Sequence, residues 1–107
     1  MPIIHSLRIL HKNIYVIGQK LSKSDKLGIH KNIENLCFEI LSLAIESAFT
    51  SKASKLCLLQ KLRIKNEILK NMIRTENELG IIDSKTYFRL CENLIEIGKM
   101  ATGWINY

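Results

Sequence analysis

The sequence has few of the residues that interrupt helices. Its 107 residues include one proline and five glycines, too few to punctuate the many turns of a sheet protein. The proline is Pro2, a position that a first helical turn tolerates. No apolar run reaches the roughly 20 residues that a membrane-spanning helix requires. We therefore expect an all-α, cytoplasmic protein without a membrane segment, formed by one domain over residues 1–107.

Cysteine is scarce, and its spacing is not that of a disulfide or metal framework. The three cysteines are an odd number and show no C-x-x-C pair, and each has apolar neighbours. This pattern predicts reduced, buried thiols in a cytoplasmic protein. The residues concerned are Cys37, Cys57 and Cys91.

The usual signatures of catalysis are also missing. His5, His11 and His30 are never at H-x-x-x-H or H-E-x-x-H spacing, so we interpret them as solvated histidines on helix faces. No P-loop, glycine-rich dinucleotide turn or G-x-S-x-G motif occurs. Glu92 and Glu96 share a helix face, but an i, i+4 pair of glutamates is typical of a solvated surface. The sequence therefore predicts a protein that is not an enzyme and needs no metal or cofactor.

Apolar residues recur at steps of three and four in four segments, which is the period of a helix that buries one face. The first runs from Ile3 to Leu21, the second from Ile29 to Ser47, the third from Leu59 to a cap near Gly80, and the fourth from about residue 84 to the end. The polar links SKSDK and TSKASK separate the first three. Four helices with short links predict an antiparallel up-down four-helix bundle.

Residues that commonly cap helices support these boundaries. Ser22 and Asp25 have the spacing of a capping box, and Asp83 is a good N-cap for the fourth helix. Gly80 fits the C-terminal cap of the third helix.

The third and fourth predicted helices carry more apolar surface than a monomeric bundle needs. At 100° per residue, Ile64 and Ile68 point away from the core stripe of the third helix, and Phe88, Ile95 and Gly98 form a second stripe on the fourth. Small bundles can expose scattered apolar residues, so this pattern is compatible with a monomer. We favour a homo-oligomer whose interface contains these five residues.

The only tryptophan is Trp104, three residues from the C-terminus. It continues the core stripe one heptad after Ile97, so we expect it to be a buried core anchor at the end of the bundle. Gly98, Ala101 and Gly103 surround it with small side chains that allow another backbone to approach closely. An interface role for Trp104 is the alternative.

Basic residues outnumber acidic residues by six, which points to polyanionic partners. Arg63, Lys70 and Arg74 share one ridge of the third helix, and Arg8 and Lys12 are at i, i+4 on the first. We predict that these five residues contact nucleic acid. A charged helix face can also serve solubility alone, so this alternative stays open.

Aromatic residues that could stack on bases are few. Only Tyr15, Phe49 and Tyr107 are expected to be exposed. This scarcity favours contact with phosphates, or recognition of folded RNA by shape, over reading of bases.

Two segments resemble a known family. The segment KNEILKNMIR, followed by a Leu-Gly turn, and the ending EIGKMATGWI are similar to the accessory variability determinant (Avd) proteins of diversity-generating retroelements. The bundle proteins encoded in intervening sequences of ribosomal RNA genes are a more distant match. The resemblance covers about Leu21 to Ile105, and the first helix matches only in pattern.

The resemblance implies a non-enzymatic basic protein that forms a pentameric barrel. Such a protein associates with the reverse transcriptase of the retroelement and its template RNA, in a complex that makes mutagenised cDNA. Lys70 and Arg74 fall on the basic pair of the family, and Asn66 falls where an apolar residue is typical. Two alternatives remain: a bundle of this family unconnected to a reverse transcriptase, and a scaffold whose positive face meets an acidic protein.

Overall fold

A computed structural model describes residues 2–106, and in this range the chain is helical without a strand. Its helices are α1 (Pro2–Gly18), α2 (Lys23–Leu27), α3 (Ile29–Ala48), α4 (Lys52–Glu78) and α5 (Ser84–Ile105). The four long helices are those predicted from the apolar periodicity, so the all-α prediction is confirmed. The five-residue helix α2 was not predicted, and it lies in the link between α1 and α3.

The long helices form a four-helix bundle with extents of 44 × 22 × 19 Å. Helix α3 packs against α1 and α4, while α5 packs against α4 and α1. Helices α1 and α4 therefore lie diagonally across the bundle. None of the helices in residues 2–106 is long and apolar enough to cross a bilayer. The largest fully buried apolar side chains are Leu7, Leu10, Ile14, Ile33, Ile40, Leu59, Leu62, Leu69, Ile73, Leu94 and Ile97.

Two helix boundaries differ from the prediction. Helix α1 ends at Gly18, so Leu21 lies in the following turn and not at the end of the apolar stripe. Helix α4 begins at Lys52, so Lys52 and Lys55 belong to its first turn and not to a link. Small polar residues are common at the start of a helix. The segment TSKASK was interpreted as a link because it contains no apolar residues at helical spacing.

The predicted N-terminal caps are present. The Asp25 backbone N–H donates to the Ser22 hydroxyl at 3.2 Å, which caps α2. The Thr86 backbone N–H donates to Asp83 Oδ1 at 2.7 Å, which caps α5. This hydrogen bond from Thr86 is the main reason that the pKa of Asp83 is lowered.

The end of α4 is closed by Gly80, as predicted. Gly80 has φ of 75°, a conformation that costs glycine little. Its N–H donates to the Asn77 carbonyl oxygen at 3.0 Å, and the Ile81 N–H donates to that of Glu76 at 2.9 Å. These two bonds make a Schellman motif, which turns the chain back toward α5.

The prediction that His30 is solvated is wrong, because His30 is 1% exposed. Its Nε2–H donates to the Ile14 carbonyl oxygen at 2.7 Å, and its Nδ1 lies 2.8 Å from Glu76 Oε2. Glu76 is equally buried, and Glu34 Oε1 lies 3.9 Å from Nε2. One imidazole therefore connects α1, α3 and α4 through buried polar contacts. Of the other two histidines, His5 is exposed and His11 is half-buried.

The surroundings of His30 favour its charged form. A carbonyl oxygen can only accept, so Nε2 carries a proton, and a second proton on Nδ1 completes an ion pair with Glu76. Burial lowers the pKa of His30, but the hydrogen bonds to Glu76 and Ile14 and the charges of Glu76 and Glu34 outweigh it. The pKa of His30 is therefore raised above its ordinary value of 6.5.

The cysteines are only in part as predicted. Cys37 is buried in the core, where burial raises the pKa of its thiol to about 12. Cys91 is half-buried and Cys57 is exposed, so the prediction of three buried thiols is wrong for Cys57. Its position on the outer side of α4 decides its exposure, and apolar neighbours in sequence do not report that position.

The His30–Glu76 pair predicts a pH-dependent stability. Because the folded pKa of His30 is raised, its contribution is complete below pH 6.5 and is lost as pH rises through the folded pKa. The free energy of unfolding, measured by urea denaturation, should therefore be lower at mildly alkaline pH than below pH 6.5. Cys37 remains protonated throughout this range.

His30→Gln should lower the free energy of unfolding by about 3 kcal/mol, because it leaves Glu76 buried without its cation. The same variant should lose most of the pH dependence, whereas His5→Gln, at an exposed position, should keep it. An unchanged pH dependence in His30→Gln would show that another group is responsible.

A second prediction compares two glycines. A Cβ at Gly18 would lie 2.8 Å from His30 Cδ2, whereas a Cβ at Gly103 would meet nothing within 4 Å. Gly18→Ala should therefore displace the buried imidazole and destabilise the fold by about 1–3 kcal/mol. Gly103→Ala should stabilise it by a few tenths to about 1 kcal/mol through helix propensity. Thermal unfolding of the two variants side by side tests this, and equal melting temperatures would contradict it.

Candidate nucleic-acid interface

A groove between α4 and α5 contains residues from both predicted sites. Its volume is about 730 Å³, and its lining includes the cations Arg63 and Lys70 together with Ile64, Ile95 and Gly98. A smaller depression of about 320 Å³ continues along the same helices. It is lined by Lys70, Arg74, Tyr87, Phe88, Cys91 and Ile95, with Asn71 beside them. The predicted nucleic-acid residues of α4 therefore share one face of the bundle with four of the predicted interface residues, Ile64, Phe88, Ile95 and Gly98, whereas Ile68 lies on the outer side of α4.

Helix geometry explains how the sequence builds this face. Arg63, Lys70 and Arg74 are separated by seven and four residues, so they lie within about 40° of one another around α4. Phe88 and Ile95 are seven residues apart and align in the same way on α5. The cations of α4 consequently border the apolar residues of α5.

The cations of this groove are weakly held by neighbouring carboxylates. Lys70 Nζ lies 3.2 Å from Glu67 Oε1, and Arg74 Nε lies 3.7 Å from Glu78 Oε2. Both pairs are on the surface, where ion pairs contribute about 0–1 kcal/mol. Within residues 2–106, Arg63 has no carboxylate at ion-pair distance. These side chains can therefore exchange their partners for phosphate at low cost.

The floor of the groove contains a buried amide. Asn66 is 3% exposed, and its Nδ2–H donates to the Leu94 carbonyl oxygen at 3.1 Å. Its Oδ1 has no hydrogen-bond partner among the described residues. The amide thus occupies a core position of α4. Its oxygen lacks a partner, which lowers the stability of the fold in an apolar surrounding.

Arg8 and Lys12 do not join the other predicted cations. They lie on α1, which is diagonal to α4 in the bundle. Helix geometry put Arg63, Lys70 and Arg74 on one ridge and paired Arg8 with Lys12, but only charge joined the two groups, and the helix order that separates them becomes apparent only in the folded chain. If they contact nucleic acid, they do so on a different side of the protomer from Arg63, Lys70 and Arg74.

The predicted interface residues have the expected exposure. Ile64 is 63% exposed and Phe88 is 64% exposed, and Ile68 and Ile95 are also on the surface. Gly98 is half-buried. A Cβ at Gly98 would be 3.5 Å from Asn66 Nδ2, an ordinary contact. Nothing inside the protomer therefore requires glycine at this position, nor at Gly103.

A second exposed apolar stripe was not predicted. Phe38 and Ile45 lie seven residues apart on α3, and both are exposed. The ring of Phe38 is 6.3 Å from that of His11, which places this stripe on the α1–α3 side of the bundle. The seven-residue spacing of Phe38 and Ile45 was visible in the sequence, but the prediction considered only the core stripe of this helix.

Exposed aromatic surface is larger than predicted. Tyr15 and Phe49 are exposed, as expected, and Phe38 and Phe88 are exposed as well. The prediction for Tyr107 lies outside the described residues. Phe49 stands out at 88% exposure.

Trp104 is less buried than expected. It packs against the core but is only half-buried. Lys55 Nζ lies 5.3 Å from the centroid of its ring, a distance at which a cation is attracted to an aromatic face. The last turn of α5 has few neighbours to cover a side chain of this size, so Trp104 closes the core from one side only.

Comparison with known proteins identifies the family of the chain. A protein-family model described as bAvd-like matches residues 2–107, so the similarity includes the first helix, beyond the region in which the sequence motifs were recognised. No curated protein and no solved structure matches the chain.

Proposed function

Because the chain belongs to the bAvd-like family, we propose that it is a non-enzymatic accessory protein of a diversity-generating retroelement. In this role it binds the reverse transcriptase and the template RNA or its cDNA in the cytoplasm, and it supports mutagenic reverse transcription. The family is one of accessory proteins, and the resemblance of the segment KNEILKNMIR to it implies that Lys70 and Arg74 correspond to its basic pair.

The observation that carries the nucleic-acid part of the proposal is the basic groove between α4 and α5. Three cations lie along one side of α4 in a protein with an excess of six positive charges. Their side chains are exposed or half-buried, and their ion pairs are weak. Such a ridge suits a phosphate backbone, whose contacts give affinity without reading sequence.

The partner proposed for this ridge is structured RNA or an RNA–DNA hybrid. Arg63 and Arg74 can each make a bidentate contact with a phosphate, whereas Lys70 acts as a point charge. Recognition of this kind follows the shape and charge of a folded nucleic acid. Lys70 therefore contributes more to salt-dependent attraction than to orientation.

Binding should depend steeply on salt and on α4. An oligomer that neutralises about six phosphates in all, two from each of three engaged subunits, should lose affinity on the order of a thousandfold between roughly 50 and 200 mM salt. Lys70→Glu with Arg74→Glu should abolish binding of structured RNA or of an RNA–DNA hybrid, because repulsion replaces two phosphate contacts. Fluorescence anisotropy with a labelled hybrid measures both effects.

The control is Glu92→Gln with Glu96→Gln, which removes two negative charges from an exposed part of α5 and leaves the α4 cations in place. Its binding should stay the same or become slightly tighter. If the α4 double reversal binds as tightly as the original protein, the ridge is not the nucleic-acid site, and contact with the reverse transcriptase becomes the better role for it.

We also propose that the protein forms a homo-oligomer through its apolar faces. The α4–α5 face carries Ile64, Phe88 and Ile95, with Ile68 beside Ile64 on the outer side of α4, and the opposite α1–α3 face carries the stripe of Phe38 and Ile45. Two different faces on opposite sides favour head-to-tail contact between copies, and such contacts close into a ring when the rotation allows it. A ring of five, the pentamer implied by the family resemblance, is the assembly proposed.

Ile68→Glu should dissociate this oligomer, since it buries an unpaired carboxylate in the proposed interface. The helical content should stay the same, because Ile68 lies outside the core. Light scattering and circular dichroism measure the two quantities. Gln19→Glu, at an exposed position between α1 and α2, adds the same charge and should leave the assembly intact.

A monomer at every concentration would contradict the oligomer proposal. Because Lys70 and Arg74 border the same face, the oligomeric state of the α4 double reversal must be measured beside its binding. Lost binding with an intact oligomer assigns the cations to nucleic acid, and loss of both assigns them to the interface.

The alternative function is a four-helix-bundle scaffold unconnected to a reverse transcriptase, which uses the same face to meet nucleic acid or an acidic protein. The mixture of exposed apolar residues and cations around Phe88 and Arg74 favours this alternative, because protein interfaces combine these residue types. A reverse-transcriptase gene and an imperfect repeat beside the gene would distinguish the retroelement role.

A further inference from the structure

We propose that one end of the bundle binds unpaired nucleotides, with a base stacked on Phe49 and the adjacent phosphates bound by Lys52 and Lys55. This end is formed by the turn between α3 and α4, the first turn of α4 and the last turn of α5. The proposal rests on nucleic acid being a partner of the protein, and it adds a second, single-stranded site away from the α4–α5 groove.

Phe49 is exposed, but its backbone is held in place. It is the C-cap of α3, and its N–H donates to the carbonyl oxygens of Glu46 and Ser47. The next residue, Thr50, donates from its hydroxyl to the Glu46 carbonyl oxygen at 2.7 Å. A phenyl ring on a fixed backbone with 88% of its surface free offers a face for stacking with little ordering cost.

Lys52 and Lys55 follow Phe49 by three and six residues and share one side of the first turn of α4. This turn contains no acidic residue, and neither lysine forms an ion pair within the described part of the chain. Cations at a helix N-terminus are disfavoured by the helix dipole. A bound phosphate removes that repulsion, so the charge pattern of this end is complementary to an anion.

Trp104 positions one of the two cations. Lys55 Nζ lies 5.3 Å from the centre of the indole ring, which restricts the lysine side chain without neutralising it. The ammonium group stays available for a phosphate. Because Trp104 is the only tryptophan of the chain, its emission also reports on what approaches Lys55.

The occupant is single-stranded because stacking needs a free base face. In a duplex each base is covered by its neighbours, whereas an unpaired nucleotide can place its ring on an aromatic side chain. Every base has such a face, so the site should tolerate any sequence. During reverse transcription, unpaired template lies beside the paired template–product hybrid. The bundle end would bind the unpaired template, and the α4–α5 groove would bind the hybrid.

The test is a titration of Trp104 emission with a short oligouridylate and with an RNA duplex of the same length. Only the single strand should bind at the bundle end and change the emission. Phe49→Ala should weaken binding of the single strand roughly tenfold, the loss expected for one stacked base, and should leave duplex binding unchanged. Tyr15→Ala is the control, since it removes another exposed aromatic ring, from α1, that is not part of the proposed oligomer interface.

Lys52→Gln with Lys55→Gln should make single-strand binding less dependent on salt. The slope of log affinity against log salt concentration should fall by the amount expected for up to about two phosphate contacts. Oligouridylate binding that is as tight in Phe49→Ala as in the original protein would overturn the proposal. Dissociation of the oligomer by Phe49→Ala would also overturn it, because the ring would then contact a second copy. If the original protein binds neither the duplex nor the single strand, the proposed function itself fails.

Discussion

The structure depends on the buried contact between His30 and Glu76. The imidazole binds the Glu76 carboxylate and the Ile14 carbonyl oxygen, so α1, α3 and α4 are fixed against one another by directional bonds in an otherwise apolar core. Glu76 also accepts the backbone bond of the Schellman motif that ends α4. The same residue therefore sets the register of α4 in the bundle and the point at which the chain turns toward α5. Placement of the α4–α5 groove follows from both.

The groove shows how one surface can carry two kinds of interaction. Its cations stand on α4 and its apolar residues on α4 and α5, and their helical repeats are in phase because seven residues complete almost two turns. Neither set can be covered by a partner without affecting the other. Asn66, under the groove, adds an amide whose oxygen has no partner within the described chain. The proposed oligomer contact and the proposed nucleic-acid contact are therefore coupled through this surface.

Much of the fold could be predicted from local sequence. Apolar spacing gives the long helices, and capping residues such as Asp83 and Gly80 give two of their ends. His30 was misread because its partner, Glu76, is 46 residues away, and no local pattern reports such a pairing. Arg8 was grouped with Arg63 for a related reason: charge is visible in the sequence, whereas the order of helices around the core is a tertiary property. The exposed stripe of Phe38 and Ile45 had a local signal in its seven-residue spacing.

The two ends of the bundle are chemically different, and this polarity has a geometric consequence. The turn that carries Phe49 and the indole of Trp104 lie at one end, and the Gly80 turn lies at the other. In any cyclic assembly, rotation about the axis keeps every copy pointing in the same direction. If the bundle axis runs along the ring axis, such a ring has one rim with the Phe49 phenyl rings and an opposite rim with Lys20 and Lys23 from the link between α1 and α3. A nucleic acid that stacks on the Phe49 rim encounters the same contact repeated around a circle, so weak single contacts add up to long residence there.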